Sequence, residues 1–377
     1  MRVTSPDWII VGAGFTGAVL AERLASQAGR RVLVVDRRDH IAGNAYDYRG
    51  PWDILVHRYG PHIFHTNSKK IWDYLSRFTE WRPYFHHVVA HIDGKYAPIP
   101  FNLNTIEDLF PRRMAEAMTQ GLIDTYGYGA KVPILRMREE GAEQLRYLAD
   151  YIYRKVFENY TFKQWSLKPE ELDPSVSARV PIHVSRDDRY FQDIYQAMPV
   201  DGYSAMFARI LAHENITVST STEFEAVRGL YPGAKVVFTG PIDEYFKFEH
   251  GALPYRSLRF RLFERPGPEA QPVGTVNYPN EFDFTRITEF KHLTGQRADG
   301  TILIEEYPEA YVPGRNEPYY PIPTGDTAAA LVPYQAMAHQ LKGKVWFAGR
   351  LGDYAYYNMD QACGRALALF EKQLAVT

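Results

Sequence analysis

Cysteine is almost absent from this 377-residue chain, whose single example is Cys363. One cysteine forms no internal disulfide, and without further soft ligands it does not build a thiolate metal site. We therefore expect no metal site, and we expect Cys363 to be a small buried apolar residue. Such sparing use of cysteine is typical of a reducing compartment, so a cytoplasmic location is expected.

An excess of charge of either sign and a long hydrophobic run are also missing. Lys and Arg number 43 and Asp and Glu number 45, which gives a formal net charge of −2. No global field attracts polyanions, so no nucleic-acid partner is expected. Glycines interrupt the apolar stretch from Trp8 within a few residues, so neither a secretion signal nor a membrane span is predicted.

The first forty residues match a βαβ unit that binds a dinucleotide. The apolar run WIIV (8–11) leads into GAGFTG (12–17), an apolar helical face follows, and RVLVVD (31–36) forms a second strand ending in Asp36. Glycines at these positions let a pyrophosphate approach the helix N-terminus, and the acid accepts hydrogen bonds from a ribose. The runs 235–240 and 344–349 have the same shape, which predicts an α/β fold with a parallel sheet assembled from distant segments.

Two inserts interrupt this nucleotide-binding core. Residues 104–171 have apolar side chains at helical spacing, with Asn104 and Glu107 as a predicted capping box. Residues 253–320 alternate as strands do, most clearly at 256–263 and 301–304.

FAD is favoured over NAD by the segments around this core. The second strand continues into a loop of small residues at 37–46, as in flavin oxidoreductases of the glutathione-reductase type. Near the C-terminus, FAGRLGD (347–353) is a strand ending in Gly-Arg, which in those enzymes lies under the pyrophosphate. Arg350 is therefore expected to meet phosphate.

Six blocks resemble the signature blocks of bacterial UDP-galactopyranose mutases, in order along nearly the whole chain. They are HRYGPHIFHTN (57–67), PFNLN (100–104), YTFKQW (160–165), FTGPIDEYF (238–246), EPYYP (317–321) and GRLGDYAYYNMD (349–360). The resemblance implies three domains. These are a Rossmann-like FAD-binding domain (1–60, 195–250 and 335–377), a helical domain (103–172) and an antiparallel-sheet substrate domain (61–102, 173–194 and 251–334).

The same resemblance implies an isomerase that interconverts UDP-galactopyranose and UDP-galactofuranose for cell-wall glycans. Its FAD is active when reduced, because the reduced flavin N5 atom attacks the anomeric carbon of galactose. An external reductant is therefore required. A homo-oligomer is expected.

The resemblance also assigns residues. Arg179 and Arg286 are expected to hold the diphosphate, Arg179 from a mobile lid at 172–182, and His62 is expected beside the flavin. The expected substrate-binding residues are Tyr160, Trp165, Tyr190, Asn277, Tyr320, Tyr356, Asn358 and Phe157, although helix packing is an equal alternative for Phe157. With the glycine fingerprint, the expected cofactor-binding residues are Gly12, Gly14, Phe15, Thr16, Gly17, Asp36, Arg37, Gly43, Asn44, His57, Gly240, Gly349, Arg350, Tyr357, Asn358 and Met359.

Two other classes share part of this pattern. A flavin oxidase or desaturase of the amine-oxidase type has the N-terminal fingerprint and the C-terminal Gly-Arg block, but it would oxidise its substrate. A non-enzymatic nucleotide-sugar or flavin-binding protein is also compatible with the arginines and aromatic residues.

Overall fold

The computed structural model describes residues 5–168, 171, 181–322 and 324–375. The strands in chain order are β1 Trp8–Val11, β2 Val32–Val35, β3 Asp47–Arg49, β4 Leu55–His57, β5 Phe64–Thr66, β6 Trp81–Pro83, β7 Val88–Ile92, β8 Lys95–Ile99, β9 Lys131–Val132, β10 Ile182–His183, β11 Tyr195–Pro199, β12 Ile216–Ser219, β13 Lys235–Phe238, β14 Tyr255–Pro266, β15 Thr275–Asn277, β16 Arg286–Glu289, β17 Gly300–Ala310, β18 Tyr320–Pro321 and β19 Val345–Phe347.

The helices alternate with these strands and are numbered separately. They are α1 Phe15–Ser26, α2 Lys69–Leu75, α3 Leu103–Leu109, α4 Arg112–Tyr126, α5 Ile134–Glu140, α6 Glu143–Ile152, α7 Asn159–Trp165, α8 Tyr203–Ile210, α9 Phe224–Val227, α10 Ile242–Tyr245, α11 Phe290–Thr294, α12 Gly325–Gln340, α13 Gly349–Gly352 and α14 Met359–Leu369. A π-helical segment, Tyr153–Glu158, joins α6 to α7.

A five-stranded parallel sheet with the order β12-β2-β1-β13-β19 forms the nucleotide-binding core. Ile9 and Ile10 point to opposite faces of β1 and are 1% and 0% exposed, as a parallel sheet covered on both sides requires. The four strands predicted from the sequence share this sheet, so the α/β prediction is confirmed. The edge strand β12 is partly exposed and mixes Thr and Ser with apolar residues, which is why no apolar run marks it.

The helical insert is α3 to α7 with the intervening π-helical segment, and it has a core of its own. The capping box predicted for Asn104 and Glu107 is wrong. Asn102 caps α3 by accepting the Thr105 N–H, and Thr105 Oγ1 accepts the Asn102 N–H in return at 3.0 Å. A threonine hydroxyl closes the reciprocal pair, which leaves Glu107 free to form an ion pair with Arg186.

The strand-rich insert builds a seven-stranded sheet with the order β18-β14-β17-β16-β15-β7-β8. Neighbouring strands run antiparallel except β15 and β7, which are parallel. Asn277 on β15 lies opposite Arg286 on β16, and Arg286 lies opposite Glu306 on β17. Because side chains directly opposite each other project from the same face, these three residues form a row across the sheet.

Two residues considered in the sequence analysis, Cys363 and Phe157, are buried in the protein core. Cys363 is fully buried and burial raises the pKa of its thiol, so it is the inert apolar residue expected. Phe157 is 6% exposed and packs in the core of the helical insert. No helix in the described ranges has both the length and the apolar character needed to cross a bilayer.

Glu289 is a buried carboxylate at the end of β16, the strand that begins with Arg286. It accepts hydrogen bonds from Gln271 N at 2.8 Å and from Thr301 Oγ1 at 2.6 Å, and His292 Nε2 lies 3.5 Å away. Burial raises the pKa of this carboxyl, but the hydrogen bonds outweigh burial and lower the pKa below 4.5. The ionised form therefore stabilises this edge of the sheet.

We predict that Glu289→Gln lowers the free energy of unfolding by about 2–4 kcal/mol at neutral pH, because buried donors lose a charged acceptor. A carboxyl whose pKa is lower in the folded state stabilises the fold above its unfolded pKa, and this contribution disappears as the pH falls through the folded-state pKa. The penalty, measured by urea unfolding, should therefore shrink below about pH 4. An equal penalty in acid would contradict this interpretation.

Candidate active site

A cleft with a volume of about 280 Å³ opens at the carboxyl ends of β1, β13 and β19. Its floor is the glycine turn between β1 and α1. Gly12 has a φ of +100°, and a Cβ atom there would lie 2.1 Å from Thr239 Oγ1. A Cβ atom at Gly17 would lie 1.9 Å from the carbonyl oxygen of Gly12. Glycine at both positions therefore brings bare backbone to the cleft and lets α1 begin directly behind it.

The N-terminus of α1 faces this cleft without a side-chain cap. Gly14 is the N-cap residue, the first turn contains no acidic residue, and Phe15 and Thr16 line the cleft. The N–H groups of a first helical turn attract anions, because they have no partner within the helix. Gly43 packs across the turn, where a Cβ atom would come within 2.9 Å of the Gly14 Cα. This cradle fits a phosphate-bearing ligand that approaches the backbone closely.

Asp36 is fixed at the end of β2 by backbone N–H groups. Its Oδ2 accepts from Ala13 N at 2.8 Å and its Oδ1 accepts from Arg38 N at 2.9 Å. Arg37 and Arg38 then converge on Oε2 of Glu317, at 2.9 and 3.0 Å. All four charged side chains line the cleft. Sequence reasoning missed Arg38 and Glu317, although one directly follows Arg37 and the other opens the EPYYP block.

His62 lines the cleft from the other side and is held as a neutral imidazole. Its Nδ1 donates to the Gly60 carbonyl at 2.9 Å, and its backbone N–H donates to His57 Nδ1 at 3.0 Å. Burial lowers the pKa of His62 to about 3 and that of His57, which is 1% exposed, to about 4. With the proton on Nδ1, the Nε2 atom of His62 carries a lone pair and can only accept a hydrogen bond.

Arg350 forms the wall between this cleft and a second group of side chains. Its Nε donates to the Tyr357 carbonyl at 3.2 Å and its Nη1 to the Tyr319 carbonyl at 3.4 Å. Its guanidinium carbon lies 5.1 Å from the ring centre of Tyr320 and 5.5 Å from that of Tyr356. Cation–π contacts and backbone acceptors thus fix this arginine.

Behind Arg350, three predicted substrate residues form an aromatic cluster of Trp165, Tyr320 and Tyr356. The two tyrosine rings stack with centres 5.2 Å apart, and the Trp165 ring lies 6.4 Å from each. Flat rings with polar edges suit the stacking of a base or sugar together with hydrogen bonds from hydroxyl groups.

The row across the seven-stranded sheet faces the same region, and we call Asn277, Arg286 and Glu306 the polar row. Arg286 Nη2 donates to Glu306 Oε1 at 2.7 Å, and the two side chains are 27% and 3% exposed. Two buried atoms of the row, Arg286 Nε and Asn277 Oδ1, make no hydrogen bond to any described residue. A buried donor and a buried acceptor without partners are uncommon in folded proteins, and either a bound ligand or a water molecule would satisfy them.

Electrostatics keep the arginine charged and the surrounding tyrosines neutral. Burial lowers the pKa of the Arg286 guanidinium, but Glu306 outweighs burial and raises it well above its ordinary value. Burial raises the pKa values of Tyr160, Tyr190 and Tyr320, and each of these tyrosines interacts electrostatically with Arg286. Each hydroxyl therefore keeps its proton at neutral pH and can donate to an anion held by Arg286.

The predicted site residues lie in two regions, the cleft and the aromatic cluster with its neighbouring polar row. The cleft is lined by His62 and by Gly12, Gly14, Phe15, Thr16, Asp36, Arg37, Gly43, Asn44, Gly240, Gly349, Arg350, Tyr357, Asn358 and Met359. Gly17 packs on the Gly12 carbonyl and His57 supports His62 from behind. The aromatic cluster and polar row contain Trp165, Asn277, Arg286, Tyr320 and Tyr356, and Tyr160 and Tyr190 lie near enough to interact electrostatically with Arg286. Phe157 lies in the helical core, and Arg179 lies outside the described residues.

The fold and the two adjoining sites define a dinucleotide-binding protein of the Rossmann-like type. The family model for an NAD(P)-binding Rossmann-like domain matches residues 10–78, and the model for UDP-galactopyranose mutase matches residues 155–356. The chain belongs to the UDP-galactopyranose mutase family, as its signature blocks predict.

Individual relatives agree over almost the full length. The chain is 38% identical to a probable UDP-galactopyranose mutase of Klebsiella pneumoniae, with 97% of this chain and 94% of the relative covered. It is 32% identical to a dTDP-fucopyranose mutase of Escherichia coli, with 95% and 96% covered. A crystal structure of reduced UDP-galactopyranose mutase has the same fold, with a TM-score of 0.75 at 17% identity and 100% and 95% of the two chains covered.

We predict that His62 and His57 do not titrate between about pH 5 and 8, because burial disfavours the charged imidazolium. Nitrogen-15 NMR of the histidine-labelled protein should show both rings neutral throughout, with His62 protonated on Nδ1. Spectra of His62→Ala would assign the signal. A His62 midpoint near the ordinary value of 6.5 would contradict the hydrogen-bonding scheme.

Proposed function

We propose that this chain is a UDP-galactopyranose mutase, which interconverts UDP-galactopyranose and UDP-galactofuranose with FAD in its reduced form. The observation that carries the proposal is the polar row, where Arg286 Nε and Asn277 Oδ1 are buried side by side without partners among the described residues. A nucleoside diphosphate supplies both an anion for the first atom and donor groups for the second.

FAD is the dinucleotide that we assign to the cleft. The glycine turn and open α1 N-terminus fit its pyrophosphate, and Asp36 at the end of β2 fits the adenosine ribose. The cleft continues from this end to His62 and Arg350, and Arg350 adjoins the aromatic cluster. An extended dinucleotide lying along it would therefore end beside the candidate substrate site.

When bound and reduced, FAD supplies a nucleophilic N5 atom for the anomeric carbon of the sugar. The chain supplies binding and electrostatics. Arg286 offsets the negative charge that grows on UDP as it leaves, and the protonated hydroxyls of Tyr190 and Tyr320 donate to phosphate oxygens. Burial of the row excludes water that would hydrolyse an activated sugar.

Other features of the proposal depend on the family resemblance alone. We propose Arg179 as a second diphosphate ligand, Tyr160 and Trp165 as the aromatic residues around the uracil, and Asn358 as a further contact. The three-domain division, an external reductant and a homo-oligomeric cytoplasmic enzyme belong to the same proposal.

A second candidate has a specific observation in its favour, since a relative of 32% identity is named dTDP-fucopyranose mutase. The two candidates differ in the base and in the sugar, so one substrate comparison separates them. A flavin oxidase of the amine-oxidase type is the third, and it would consume oxygen without any UDP-sugar.

The experiment is anaerobic incubation of the purified, dithionite-reduced protein with UDP-galactofuranose, followed by chromatography for UDP-galactopyranose. We expect isomerisation by the reduced enzyme, negligible isomerisation by the oxidised enzyme, and release of FAD on denaturation. Arg286→Lys keeps the charge but loses the Nε donor. The resulting drop in kcat/KM should correspond to a loss of about 2–4 kcal/mol in transition-state stabilisation.

Matched incubations with dTDP-fucofuranose, and of the oxidised protein with a primary amine in air without dithionite, serve as controls. Faster turnover of the dTDP-sugar would transfer the assignment to the second candidate. Oxygen consumption without a UDP-sugar, or equal isomerisation in both redox states, would overturn the proposal.

A further inference from the structure

The loop 278–285 connects the two strands that carry Asn277 and Arg286, and it is fastened at its base. The Tyr278 N–H donates to the Thr285 carbonyl at 2.8 Å. The aromatic rings of Tyr278, Phe282 and Phe284 lie 4.8–5.4 Å apart within the loop. Backbone and aromatic contacts therefore give this loop a defined shape on the edge of the polar row.

Side-chain hydrogen bonds attach the same loop to α7 and to the π-helical segment. We call the two hydrogen bonds of Asn280, to Lys155 and Asn159, the Asn280 clasp. Asn280 Nδ2 donates to the Lys155 carbonyl at 2.8 Å, and Asn280 Oδ1 accepts from Asn159 Nδ2 at 3.0 Å. Lys163 Nζ donates to the Tyr278 carbonyl at 2.9 Å. Lys155 belongs to the π-helical segment, a helix type that is common at functional sites. Asn280 thus binds both the π-helical segment and the first residue of α7.

The opposite end of α7 has a separate attachment. Arg256 on β14 donates through Nε to the Gln164 carbonyl at 2.9 Å and through Nη2 to the Lys163 carbonyl at 3.2 Å. Trp165 therefore remains held if the Asn280 clasp is lost. Tyr160 directly follows Asn159 and so lies at the end of α7 that Asn280 contacts.

We propose that Asn280 is a positioning residue that holds Tyr160 against the polar row and so sets the affinity for the nucleoside half of the substrate. The proposal rests on the proposed function, in which Tyr160 contacts the uracil. Asn277 and Arg286 are fixed by sheet pairing and by Glu306, so contacts to the diphosphate do not need the clasp.

The test compares Asn280→Ala, Asn159→Ala and the double variant by calorimetric titration of the FAD-bound enzyme with UDP and with inorganic pyrophosphate. Each single variant should weaken UDP binding about 5- to 20-fold and leave pyrophosphate binding unchanged. The double variant should bind UDP no more weakly than Asn280→Ala, because Asn280→Ala already removes the contact with Asn159. KM for UDP-galactofuranose should rise by the same factor while kcat stays within twofold.

Gln296→Ala is the matched control, since its amide also clasps a loop, donating to the Asp53 carbonyl at 2.7 Å and accepting from Leu55 N at 2.8 Å. It should bind both ligands as the parent enzyme does.

Unchanged UDP binding in Asn280→Ala, or an equal loss of affinity for UDP and for pyrophosphate, would overturn the positioning role. If the parent binds UDP but does not isomerise its sugar, the proposed function fails and these affinities still decide the role of Asn280. If the parent binds no UDP, both proposals fail.

Discussion

The buried ion pair between Arg286 and Glu306 is the constraint on which the candidate site depends. A guanidinium in this position is costly to desolvate unless an acid partner lies beside it, and sheet register places Glu306 directly opposite. Because Glu306 occupies Nη2, the orientation of the arginine is fixed and its Nε is left for a ligand. In the function proposed above, Arg286 would meet the diphosphate in an orientation already fixed by Glu306.

Two separate frameworks meet at Arg350. The parallel sheet positions the glycine turns and the uncapped N-terminus of α1 at the cleft. The seven-stranded sheet aligns Asn277, Arg286 and Glu306 in the polar row. Arg350 contacts both, since it lines the cleft and lies over the rings of Tyr320 and Tyr356. In the function proposed above, the cofactor and the nucleotide substrate would occupy neighbouring sites on the two sides of Arg350.

The parallel sheet could be predicted from residues close together in the sequence. An apolar run (WIIV), a glycine turn before a helix, and Asp36 at the end of the second strand together are typical of a dinucleotide-binding βαβ unit. The helical and strand-like inserts were likewise predicted from periodicity. The partnership of Arg286 with Glu306 was not, because alternation in β17 shows which residues share a face but not which one lies opposite Arg286. The Asn280 clasp was missed for the same reason, since residues 155, 159 and 280 meet only after folding. The roles of the individual site residues stay predictions.

A crystal structure of the FAD-bound protein with UDP would show directly whether the polar row binds the nucleoside diphosphate. We expect FAD along the glycine-lined cleft and UDP on the polar row, with a phosphate oxygen within hydrogen-bonding distance of Arg286 Nε and a uridine donor on Asn277 Oδ1. UDP bound away from this row, with both atoms still lacking ligand contacts, would contradict it.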